Sequence, residues 1–170
     1  MGAVCAPPPA PLGCGAEGPV KQEGPFARSW SPPTDWTLVT VVPMGGLCAI
    51  APPLTSAMGS LEGSGVRLRG SGLDLRVRLS GDFDSECLED AVLEIADTLG
   101  QDKAAEVWRQ ELPDGYLLAG HGPGSAAARF WVKGRRRVGG RTVVCEAVGV
   151  TEEQQAKAVA VCKTLHSYHS

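Results

Sequence analysis

"RFWVKGRRRVGGRTVVCEAVG", Arg129 to Gly149, is the stretch that decides the fold. Two apolar-rich flanks meet at Gly139-Gly140, and glycine readily takes the left-handed backbone that a two-residue hairpin turn demands. With that pair as the turn, Val138 stands opposite Arg141, and counting back sets Lys133 opposite Glu146. One face then collects Phe130, Val132, Val143, Cys145 and Ala147. The other collects Trp131, Lys133, Val144, Glu146 and Val148. A single turn sorts the charges onto one side, as a half-buried sheet requires.

Immediately after this hairpin, Thr151 and Gln154 have the spacing of a capping box, which predicts a final helix with the stripe Ala158, Val159, Cys162 and Leu165. Cys145 then lies on the dry face of the last strand and Cys162 on the dry stripe of the helix packed against it. A nucleophile or metal ligand needs access to substrate or solvent, and these two positions face the core. Two readings stay open: a pair of free buried thiols, or a disulfide worth roughly 3 kcal/mol for so short a loop. The redox state of the compartment chooses between them.

Toward the amino end, "VRLRGSGLDLRVRLSG" alternates Val66, Leu68, Leu73, Leu75, Val77 and Leu79 with Arg67, Arg69, Asp74, Arg76 and Arg78. Strict alternation predicts two strands with one dry face and one wet face, joined by a tight turn at Gly70-Ser71-Gly72. "DFDSECLEDAVLEIADTLG" places Leu88, Ala91, Val92, Ile95 and Leu99 on one helical stripe. Asp82, Asp84 and Ser85 at its start and Gly100 at its end are suitable caps. "EVWRQELPDGYLLAG" predicts a hairpin around Pro113-Asp114-Gly115, preceded by a short helical turn at Asp102 to Glu106. "WTLVTVV" and "LCAIA" predict a first strand pair ended by Pro52-Pro53, and "LTSAMGSLEGSG" a loop.

The predicted fold class is therefore α+β: an antiparallel sheet flanked by two main helices, forming one domain over residues 36–170. Residues 1–35 are dense in Pro, Gly and Ala without apolar period, and predict a disordered tether. The whole chain has 170 residues, 43% hydrophobic and 21% charged, with a net charge of -3. These are ordinary globular values. No apolar run reaches the length of a membrane-spanning helix. A signal peptide is also missing from the first residues. The expected location is the cell envelope if a signal sequence lies upstream, and the cytoplasm otherwise.

Catalytic and metal-binding motifs are scarce. Cys162, His166 and His169 fall at i, i+4 and i+7, but zinc needs a fourth ligand. None is evident, so neither a metal nor a cofactor is expected. "GHGPGS" around His121 lacks the lysine of a phosphate-binding loop, and the chain has no G-x-S-x-G nucleophile turn. The enzyme alternative is a small Cys-dependent hydrolase or thiol-redox enzyme pairing Cys87 with His121. Asp84, Glu86 and Glu89 around Cys87 oppose a thiolate, and the primary expectation is a protein that is not an enzyme.

Charge distribution is more informative. Between Arg129 and Arg141 there are six basic residues and no acid: Arg129, Lys133, Arg135, Arg136, Arg137 and Arg141. Between Asp82 and Asp114 there are eleven acids against Lys103 and Arg109. The basic hairpin tip is the candidate contact surface, for an acidic protein partner or an anionic lipid surface. Only 5% of the residues are aromatic, and with the net negative charge this disfavours nucleic acid.

Taken together, "PPTDWTLV", a helix, "LPDGYLLAG", then "RFWVKGRRRVGGRTVVCEAVG" feeding "TEEQQAKAVAVCKTL", resemble the PsbP-like α/β/α sandwich domains over roughly Trp36 to Leu165. Many members are bacterial envelope lipoproteins. The resemblance implies an antiparallel sheet with packed helices and a binding or scaffold role without catalysis. No site residue is carried over by it.

Overall fold

In a computed structural model of the chain, the described residues are 34–42, 47–59, 65–80, 86–98 and 107–167. The expected tether lies outside them except for Thr34 and Asp35, as do the caps at Asp82, Asp84, Ser85 and Gly100 and the turn at Asp102 to Glu106.

Three hairpins supply most of the main sheet. β8 (Phe130–Val138) and β9 (Arg141–Val150) pair in the expected register, with Val138 opposite Arg141 and Lys133 opposite Glu146. Gly139 and Gly140 both take positive φ, 60° and 76°, as a turn matched to the strand twist requires. β4 (Gly65–Gly70) and β5 (Leu73–Leu79) meet at Ser71-Gly72. β6 (Trp108–Leu112) and β7 (Gly115–His121) meet at Pro113-Asp114.

Pairing of β5 with β9 and of β7 with β8 joins these units, and β3 (Ser56–Gly59) adds to the edge of β4. The result is a seven-stranded antiparallel sheet ordered β3-β4-β5-β9-β8-β7-β6. The fold is α+β, as expected, with two helices among the described residues: α1 (Leu88–Thr98) and α2 (Glu152–Lys163).

Three features depart from the sequence reading. Residues 56–59, expected in a loop, form β3 because the neighbouring edge of β4 offers its unpaired backbone groups. The first strand pair, β1 (Thr37–Val42) and β2 (Leu47–Ala51), does not join the main sheet but forms a second one. Its third strand is β10 (His166–Ser167). The last helix therefore stops short: Thr164 caps α2, and its hydroxyl bonds the backbone of Ile50 as donor and acceptor. His166 consequently sits on a strand, off the helical spacing with Cys162.

The principal core fills one face of the large sheet, the inner face. Leu68, Leu75, Val77, Leu117, Val132, Val143 and Cys145 point from the strands into α2 and the small sheet, meeting Val159, Cys162, Leu165, Leu47 and Ala49. The capping box at Thr151 and Gln154 forms as expected. On the outer face α1 covers only one end, where Leu88, Ala91 and Val92 pack on Tyr116, Leu118 and Trp131.

Candidate anion-binding face

Beyond α1 no described helix covers the outer face, where Val144 is buried beneath the charged side chains around it, and the composition of the face follows from period-two alternation alone. Arg67 and Arg69 of β4, Arg76 and Arg78 of β5, and Lys133, Arg135 and Arg137 of β8 stand on the side opposite the buried Leu68, Val77 and Val132. The strand registers align Arg67, Arg76, Glu146 and Lys133 in one row across four strands. Arg78, Val144 and Arg135 form the next.

Carboxylates from three places reach this field. Asp74 receives both Nε and Nη2 of Arg67 at 2.9 Å, with Arg69 at 3.9 Å. The bidentate guanidinium, aided by the charges of Arg69 and Arg76, holds the Asp74 carboxyl below the usual carboxylate range and raises Arg67 in return. Glu146 accepts from Arg78 Nε at 3.0 Å. At the border with α1, Arg135 reaches Glu86 at 3.5 Å. Arg76 and Arg137 are exposed and form no ion pair among the described residues. Arg76 moreover sits directly opposite Arg67, a like-charge pairing that disfavours the sheet unless anions collect there.

The expected hairpin-tip cluster is divided by the structure. Lys133, Arg135 and Arg137 join the outer field. Arg136 faces the opposite way: its guanidinium makes two bonds to Asp114, at 3.0 and 2.5 Å, and donates to the carbonyls of Cys162, Lys163 and Leu165. That side chain is 12% exposed and serves as the clamp on the carboxyl end of α2, where positive charge is favoured. Arg141 is exposed beside the turn, on the α2 side of the sheet. Arg129 precedes the far end of β8, about 27 Å from Arg137 by strand rise. There it bonds the Ala126 carbonyl and stacks on Phe130. In place of these three, the field contains four arginines of β4 and β5, visible in the sequence only as the wet half of an alternating pattern.

Other candidates fare differently. Cys87 is disulfide-bonded and therefore carries no thiolate. It opens α1 on the outer side, whereas His121 packs with Trp108 and Phe130 on the inner side, so the sheet separates the two. Cys145 and Cys162 are both free and buried. Burial, and a hydrogen bond with Cys145, push the Cys162 thiol well above its ordinary range. His169 lies outside the described residues, and among those described no group of three His, Cys, Asp or Glu could hold a metal. No described helix is long and apolar enough to cross a membrane.

No protein-family model, curated protein or solved structure matches the chain. The PsbP-like resemblance rests on its own motifs.

Proposed function

We propose that the protein is a non-catalytic binding module whose contact surface is the basic outer face of the sheet beyond α1, engaging an anionic partner by charge. One observation carries the reading: seven basic side chains share one face on which Asp74, Glu146 and Glu86 form ion pairs with Arg67, Arg69, Arg78 and Arg135, and Arg67 and Arg76 stand directly opposite each other. Rigid strands hold the charges in fixed rows, so an anion meets a preorganised surface. The non-catalytic role implied by the PsbP-like resemblance points the same way.

The test is retention on a sulfated polyanion column. The wild-type chain should bind at low ionic strength and elute as salt screens the contact. Replacing Arg76 and Arg137 with Ser should bring elution to markedly lower salt without altering the fold. Unchanged retention of that double variant would remove the basic field from the function.

A further inference from the structure

The basic field has a neighbour of opposite sign on the same side of the sheet. The outward surface of α1 carries Glu89, Asp90, Glu94 and Asp97, all exposed, and no basic residue. Asp90, Leu93 and Asp97 lie along its crest, opposite the buried Leu88, Ala91 and Val92 and the half-buried Ile95. At the crest's middle, Leu93 is 68% exposed. On the outer face of the sheet, Val148 of β9 is 80% exposed. Only three large hydrophobic residues are prominently exposed among the described residues, and these are two of them.

The outer face is thus a raised acidic ridge beside a flat basic field, each with an apolar residue. The ridge is about 16 Å long and stands about 10 Å high; the field, four strands across, is about 15 Å wide. Because ridge and field lie side by side on one surface, a two-fold axis between them sets the ridge of each copy on the field of the other. An isologous pair of this kind is the commonest symmetric assembly. It satisfies both patches at once and brings Leu93 of one copy toward Val148 of the next.

We infer that the partner of the basic face is a second copy of this chain, docked reciprocally through α1. The inference rests on the reading of that face as a contact surface and names its occupant. Arg76 and Arg137, which lack ion pairs of their own, would meet the carboxylates of the other copy's ridge.

Sedimentation equilibrium of the full chain tests this, using two charge-reversed variants. One carries Arg76→Glu with Arg137→Glu; the other carries Asp90→Lys with Asp97→Lys. The wild-type chain should be dimeric at low salt, with at least about tenfold weaker association at high salt, where exposed charges are screened. Each variant alone should be monomeric, since ridge and field then repel. An equimolar mixture should restore the dimer, because acidic field meets basic ridge and basic field meets acidic ridge. Rescue by mixing separates the interface from any loss of folding in either variant. A wild-type chain that stays monomeric at low salt, or a mixture of folded variants that does not associate, would overturn the inference. If the monomeric wild type still binds the polyanion column through Arg76 and Arg137, the binding face stands and its occupant is another anion. If it binds neither, both readings fail.

Discussion

Arg136 and Arg137 are neighbours in sequence and opposites in circumstance. The first enters the inner face, where α2 and the small sheet exclude water, and finds Asp114 and three helix-terminal carbonyls. The second stands on the outer face, exposed and without an ion pair. A charge on the closed face is tolerated only when nearly every donor is satisfied, whereas on the open face water does that work and the side chain stays available to a partner. One strand thus separates buried, structural arginines from solvent-facing ones by parity alone.

Arg136→Leu is the strongest way to break the comparison. It strands the Asp114 carboxylate and three carbonyls, and should cost about 3 kcal/mol or more, read as a lower urea midpoint. Arg137→Leu should stay within about 0.5 kcal/mol of wild type. Equal effects would show that the two faces are not distinct environments.

Gln155 sharpens the contrast without charge. It is a fully buried polar side chain, and its amide donates to the carbonyls of Gly120 and Trp131 at 2.8 and 3.0 Å. Gln155→Leu leaves both without that donor and should cost about 2 kcal/mol in the same measurement.

Cys162 reports on the inner face through pH. Its folded pKa is raised, so its contribution is whole below the unfolded value of about 8.5 and falls as pH rises beyond it, because only the unfolded chain ionises. Stability measured from pH 7 to 10 should therefore decline, and Cys162→Val should flatten the decline. Lys163, lowered by burial, acts in the reverse sense toward its unfolded value of about 10.4. Neither Cys145 nor Cys162 should react with a thiol reagent in the native state.

Asp74 gives the smallest effect, at the other end of the scale. Its folded pKa is depressed by Arg67, so its contribution is present above the unfolded value of about 3.9 and is lost as pH falls through the lower folded one. Asp74→Asn should slightly flatten the acid limb of the stability curve, since exposed ion pairs contribute little.

Much of this architecture was legible in the chain. The register of β8 with β9, the wet and dry faces of β4 and β5, the hairpin at Pro113-Asp114, the capping box of α2 and the inward direction of Cys145 and Cys162 all follow from nearby residues. The candidate site was legible only in part. Lys133, Arg135 and Arg137 stood in a visible basic run, but the same run contained Arg129, Arg136 and Arg141, which strand direction and parity place elsewhere. The arginines that complete the field come from β4 and β5, more than fifty residues earlier.

By itself the sequence determined which side chains share a face within each hairpin, because turn geometry and two-residue periodicity are local terms that act before any distant contact forms. Only the tertiary structure decided that β5 lies against β9, that β10 closes a second sheet with β2, and that α1 packs on one end of the outer face. Those pairings are selected by the burial and backbone bonding of the whole assembly, to which no short stretch contributes enough to reveal the choice.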